Sequence, residues 1–215
     1  MRSRENRSRI KKKATVRAQV RFAVIAALLG VFVYRFILIN GNIPSGSMEN
    51  TLMPGNRVFG LRISYLFRKP QRGDIVVFRS PLDKSRLFSK RIIGLPGETV
   101  RISRGVVYVD GAPLIETYVK DWTRFDDGFL FHVPMNAYLM LGDNRNNSDD
   151  SRFWPADALR HGLVFSTRAA VPYAYVEKKD IIGKIYICYW PLKEAGSVYQ
   201  EKTRVGEGTV KLDSL

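Results

Sequence analysis

The pattern of apolar and polar positions changes character near residue 40. Phe22 to Tyr34 is an unbroken apolar run of 13 residues, Arg35 interrupts it, and Phe36-Ile37-Leu38-Ile39 resumes. As a helix, residues 22–39 would span about 27 Å at 1.5 Å per residue, close to the roughly 30 Å hydrocarbon core of a bilayer. The run has no polar stripe of the kind a helix packed on a soluble core keeps. Arg35 falls near one end, where its long side chain reaches the headgroups. No small-x-small cleavage site follows Ile39, so the pattern predicts an uncleaved anchor rather than a removable leader.

Beyond Asn40-Gly41-Asn42 the period shortens to two. Arg57–Leu61, Asp74–Phe78, Leu87–Ile93, Thr99–Ile102, Val106–Val109, Ala137–Leu141 and Ile181–Tyr189 read as strands. Ser103-Arg104-Gly105 joins two of them as a hairpin, and Asp110-Gly111 is a strong turn signal. Helical patterns outside the anchor are weak, so the expected fold class is mostly β, an antiparallel sheet preceded by one transmembrane helix. The predicted divisions are a basic arm over 1–21, an anchor over 22–39, a β domain over 40–191 and a polar, loosely ordered tail over 192–215.

Charge refines the anchor. The chain carries +15, and residues 1–21 hold nine Lys or Arg against Glu5 alone, a net +8. A basic arm can bind nucleic acid, but one placed directly before an apolar segment fits an orientation signal, because positive flanks stay cytoplasmic. This predicts a single pass, with the N-terminus in the cytoplasm and the β domain on the outer face of the cytoplasmic membrane. No nucleic-acid partner is expected. Cys188 is the sole cysteine, so no internal disulfide can form, and its apolar strand suits a small buried hydrophobe. Two histidines and one cysteine, all far apart, give no metal-ligand spacing, and no phosphate loop is present. No cofactor or metal is expected.

The candidate chemistry lies in Ser47 and Lys90. A serine becomes a nucleophile when a base takes its proton, and a neutral lysine can replace histidine in that role. Alternation along Leu87–Ile93 turns Phe88, Lys90 and Ile92 to one face and Ser89 and Arg91 to the other. Apolar neighbours are what a basic lysine needs, since bringing its pKa from near 10.4 to about 7 takes roughly 4–5 kcal/mol. On this segment alone, ordinary surface charges are the simpler reading of Lys90 and Arg91. Only eight positions separate Ile39 from Ser47, at most roughly 29 Å of extended chain. The serine is therefore tethered near the bilayer surface, within reach of substrates that are themselves anchored there.

Three longer stretches sharpen this. Pro44-Ser45-Gly46-Ser47-Met48 with Thr51-Leu52, then Lys90-Arg91-Ile92-Ile93-Gly94-Leu95-Pro96-Gly97-Glu98, then Gly142-Asp143-Asn144-Arg145 with Asn147-Ser148 and Asp150-Ser151-Arg152 resemble the ordered boxes of bacterial type I signal peptidases. The resemblance runs from the anchor through Trp190-Pro191. It implies a signal-peptidase-like β domain and a membrane-bound serine endopeptidase that removes signal peptides from preproteins emerging from the secretion translocon. It implies Ser47 as nucleophile and Lys90 as general base. Ser45 and the Ser47 backbone N–H would form the oxyanion hole, where a donor is worth about 3–4 kcal/mol. Ser148 would orient the lysine, Asp150 and Arg152 would support the loop, and Ile43, Pro44, Leu52 and Phe88 would line shallow pockets for small side chains.

The chain departs from that family pattern at three places. Asn50 stands where proline is usual, and Asn146 where aspartate is usual. Roughly 20 residues, about 155–175, are inserted before Val176-Glu177-Lys178. Other readings are a specialised peptidase of a conjugation or pilus system, a catalytically silent membrane-tethered homologue, and a self-cleaving repressor. The last conflicts with the anchor and lacks a DNA-reading domain. A triad through His161 is disfavoured by its surroundings.

Overall fold

In a computed structural model, residues 2–120, 128–198 and 204–206 are described, with side chains from Thr15 onward except at Arg204. Two units emerge, Met1–Leu38 and Ile39–Leu215. The first is helix α1 (Arg2–Phe32), which ends in a π-helical turn over Val33–Ile37. The basic arm and the anchor are thus one continuous helix, and the side chains of the first part of that arm lie outside the described residues. Among the described residues, Thr15–Ile37 is the one helical stretch long and apolar enough to cross a membrane, and none of it is buried in protein.

The anchor ends earlier than its hydropathy suggests. Leu38 and Ile39 already belong to strand β1 (Leu38–Asn42). Ile39 is 7 % exposed and its Cδ1 rests against Gly183. Its apolar side chain is buried in the β domain rather than left for lipid, which is why hydropathy alone overruns the boundary.

The second unit is built on two sheets. Its further strands are β2 (Arg57–Leu61), β3 (Ile75–Arg79), β4 (Leu87–Gly94), β5 (Thr99–Ser103), β6 (Val106–Val109), β7 (Ala112–Ile115), β8 (Phe129–His132), β9 (Ala137–Leu141), β10 (Tyr175–Glu177), β11 (Ile181–Trp190), β12 (Gly196–Ser197) and β13 (Arg204–Val205). The larger sheet runs β1-β2-β11-β3-β4-β9-β10, with β12 beside β11, and the smaller runs β13-β7-β6-β5-β8. The pairs from β2 through β10 are antiparallel. The Asp110-Gly111 turn, with φ of +50° and +84°, joins β6 to β7 in the left-handed geometry that matches strand twist.

Alternation sorts the larger sheet's side chains into two cores. Along β3, Ile75 and Val77 join Ile43, Met48, Leu52, Val58, Ile185 and Cys188, while Val76 and Phe78 join Ile92, Met140 and Trp154 on the other face. A third cluster covers the smaller sheet and includes Val100, Ile102, Val107 and Phe131 with Ile93, Leu139 and Leu141. β4 and β9 are therefore packed on both faces.

Two stretches left open by the sequence take a definite form. The 155–175 insertion forms α2 (Trp154–Arg160), α3 (Thr167–Ala170) and a 3₁₀ turn over Val171–Ala174 leading into β10. Trp154, Ala158, Ala170 and Ala174 are buried and supply the packing that a weak helical pattern did not reveal. The tail is not loose throughout. Gly196-Ser197 pairs with β11, Arg204-Val205 pairs with β7, and Val198 is buried in the core. The short pairing segments lack the apolar alternation that marks a strand in sequence, and the remaining tail residues lie outside the described ones.

Candidate active site

Ser47 sits in a 3₁₀ turn, Gly46–Met48, entered from extended backbone at Ser45. Met48 and Leu52, both fully buried, pin that turn into the core. The Thr51 and Leu52 N–H groups donate to the Met48 carbonyl at 3.1 and 2.7 Å. From the opposite loop, Asn144 donates its backbone N–H to the Ser47 carbonyl at 3.1 Å and its side-chain amide to the Gly46 carbonyl at 3.0 Å. Ser47 is 8 % exposed, and the Ser45 and Ser47 hydroxyl oxygens are 3.4 Å apart.

Lys90 is in the middle of β4, opposite Val76 of β3, and is 4 % exposed. Burial pushes its pKa below that of an ordinary lysine. The charges of Asp150, Asp149 and Asp143 oppose this, and that of Arg152 assists it. Among the described residues no carboxylate is within ion-pair distance of its amine. Arg91, on the other side of the strand, is equally buried, with its guanidinium bonded to Asp143 at 2.8 and 2.6 Å.

Ser47 and Lys90 line one cleft of about 700 Å³, with Ile43, Pro44, Ser45 and Phe88 in its walls. Leu52, expected beside them, does not reach it; its side chain belongs to the core beneath the turn. Ser148 is also absent from the lining, although its neighbours Asn147 and Asp149 are present. Its hydroxyl is buried without a hydrogen-bond partner among the described residues, an expensive state for a polar group unless something reaches it. A larger groove of about 1070 Å³ shares no residue with this cleft and holds none of the predicted site residues.

Asp150 and Arg152 form a fully buried bidentate pair at 2.8 and 2.9 Å. Asp150 also accepts the Gly142 N–H at 3.0 Å, and Arg152 donates to the Arg145 carbonyl at 2.9 Å. The pair thus staples both ends of the 142–152 loop. Burial alone would raise the Asp150 carboxyl, but Arg152, the Lys90 charge and the Gly142 N–H together outweigh it and hold it below the usual range.

Several supports escape sequence reasoning. Asp143 joins Arg91 to Thr51, whose hydroxyl donates to it at 2.5 Å. Arg145 pairs with Glu116, which also accepts the Tyr118 hydroxyl at 2.6 Å. Arg91 and Asp143 stand inside the quoted boxes, so their charge was a readable signal. Glu116 lies 29 residues from its partner and has no local pattern. Gly142 has a steric role: a Cβ there would meet the Ser148 hydroxyl at 2.2 Å and the Ser47 carbonyl at 2.4 Å.

A hydroxyl and a buried amine sharing one cleft, with a second hydroxyl beside the first, have the functional groups that acyl transfer requires. The family described as signal peptidase, peptidase S26, matches residues 16–190. A probable signal peptidase I-2 of Synechocystis sp. is 36% identical over 84% of this chain and 76% of its own. A signal peptidase I of Leptolyngbya laminosa is 35% identical over 81% and 79%. An inactive signal peptidase IA of Staphylococcus aureus is 29% identical over 80% and 90%. With the family matched across most of its length and these likenesses beside it, the chain belongs to the signal peptidases of family S26, serine endopeptidases that cleave signal peptides.

Proposed function

We propose that the protein is a membrane-anchored signal peptidase working through a Ser47–Lys90 dyad. The observation that carries this is a buried lysine in the same cleft as a serine, with no carboxylate among the described residues at ion-pair distance from it. Neutral Lys90 accepts the Ser47 hydroxyl proton as the oxygen attacks the scissile carbonyl carbon. The Ser45 hydroxyl and Ser47 N–H donate to the resulting oxyanion. The lysine ammonium then protonates the departing amine, which leaves as the new N-terminus of the mature protein. Water, deprotonated by Lys90, releases the signal peptide from the acyl-enzyme as a carboxylic acid. In the proposed cycle the Ser148 hydroxyl, which has no hydrogen-bond partner among the described residues, turns to donate to the neutral amine, and the Asp150–Arg152 staple keeps Ser148 in place.

Hydropathy and the basic N-terminal arm support a single pass with the N-terminus in the cytoplasm. The β domain would then meet preproteins leaving the translocon on the outer face. A silent homologue is the rival reading, since one relative is named inactive. The presence of Ser45, Ser47, Lys90 and Ser148 together argues against it. Cleavage of one preprotein in detergent separates the two. The wild type should release the mature chain, and Ser47→Ala and Lys90→Ala should not, with melting curves showing folded protein in each case. Cleavage retained by either variant would sink the dyad.

A further inference from the structure

Asn50 has φ +84°, a left-handed conformation that is uncommon outside glycine and least costly for asparagine, aspartate and histidine. Something must hold the turn there. The contacts come from residues 116–120, the segment that follows β7. The Asn50 side-chain amide donates to the Tyr118 carbonyl at 3.0 Å. Glu49, next to it, pairs with Lys120, whose backbone N–H donates to the Asp143 carbonyl at 3.1 Å.

That segment is itself fixed. Tyr118 is 4 % exposed, with its hydroxyl on Glu116 and the Arg91 guanidinium 3.7 Å above its ring. The Ser47 turn is therefore held from two sides. The 142–152 loop holds it through Asn144, bonded to the Ser47 and Gly46 carbonyls and to Glu49, and through Asp143 on Thr51; residues 116–120 hold it through Glu49 and Asn50. The second support has no part in the catalytic steps above.

We propose that Asn50 is a positioning residue for the nucleophile. Its left-handed turn and its bond to Tyr118 fix where the Ser47 hydroxyl stands relative to Lys90, and residues 116–120 serve as the strap. This rests on Ser47 being the nucleophile. Proline, usual at this place in type I signal peptidases, is locked near φ −65° and has no side-chain donor, so it cannot occupy this turn.

The test compares wild type, Asn50→Gly and Asn50→Pro in the full chain, with kcat and KM resolved on one preprotein. Amide exchange across residues 46–52 is followed without substrate. Glycine accepts the φ but loses the tie, so kcat should fall about fivefold, the worth of one neutral hydrogen bond, with KM within about twofold and faster exchange at the turn. Asn50→Pro should lower kcat about a hundredfold or more. Wild-type kcat and exchange in Asn50→Gly would overturn the inference, as would a loss residing wholly in KM or a fully active Asn50→Pro. If the wild type itself cleaves no preprotein, the functional reading fails, while exchange at residues 46–52 still decides whether Asn50 and its bond to Tyr118 hold the turn.

Discussion

At the scale of single residues, the buried amine of Lys90 has a thermodynamic signature. Burial lowers its pKa in the folded chain, whereas the unfolded chain keeps the proton until about pH 10.4. Between the folded and unfolded values, unfolding takes up a proton, so stability rises with pH. Below the folded value the cost of a buried ammonium is present in full. Lys90→Met should therefore abolish cleavage yet raise the melting temperature at neutral pH and below, by about 2–4 °C per kcal/mol relieved. A Tm no higher than wild type would contradict this account. The same burial predicts that kcat/KM rises with pH along a limb whose apparent pKa lies below that of a free lysine. Gly142 is sensitive for a different reason. A Cβ there collides with the Ser148 hydroxyl and a backbone carbonyl, which cannot both yield. Gly142→Ala should cost about 1–3 kcal/mol by overpacking, and cleavage should fall more steeply than stability; chemical denaturation paired with initial rates would show the split.

At the scale of elements, the 142–152 loop hangs on the Asp150–Arg152 staple. Removing one partner strands a buried charge, so Arg152→Ala should destabilise by about 3–5 kcal/mol. The double Asp150→Ala/Arg152→Ala variant should lose less than the two single losses combined, because neither charge is then left alone; additive losses in urea titrations would refute the pairing. The strands around this loop were readable because the period of two was clean. β3, β4, β9 and β11 followed from runs such as Ile75–Phe78 and Ala137–Leu141, and the Asp110-Gly111 turn from its dipeptide. β7, β8, β10, β12 and β13 were not, being short and partly polar, and depending on partners far along the chain. For the cleft, local boxes marked Ser47 and Lys90, whereas among the buried supports around it Glu116 and Tyr118 had no local pattern to betray them. Leu52, placed in the pocket by the family resemblance, instead packs into the core beneath the turn, because a matched position does not fix which way its side chain faces.

For the whole molecule, the buried clusters draw on residues after Ile39, so a chain beginning at Leu38 should fold without α1. It should cleave a short soluble peptide in detergent at close to the full-length rate. On preproteins embedded in vesicles it should lose most of its advantage, about 10²–10⁴-fold, because anchoring both partners in one bilayer raises their effective concentration. Equal rates on vesicles would mean that the anchor adds nothing. The order of strands in the larger sheet has a further consequence, in time rather than space. β11 lies between β2 and β3, yet β2 ends at Leu61, β3 ends at Arg79 and β11 begins only at Ile181. Synthesis, or threading across a membrane, delivers both flanking strands long before the one that joins them. Such pairing must await the distant segment, so the larger sheet, unlike the local hairpins of the smaller one, cannot close until β11 has emerged through Trp190.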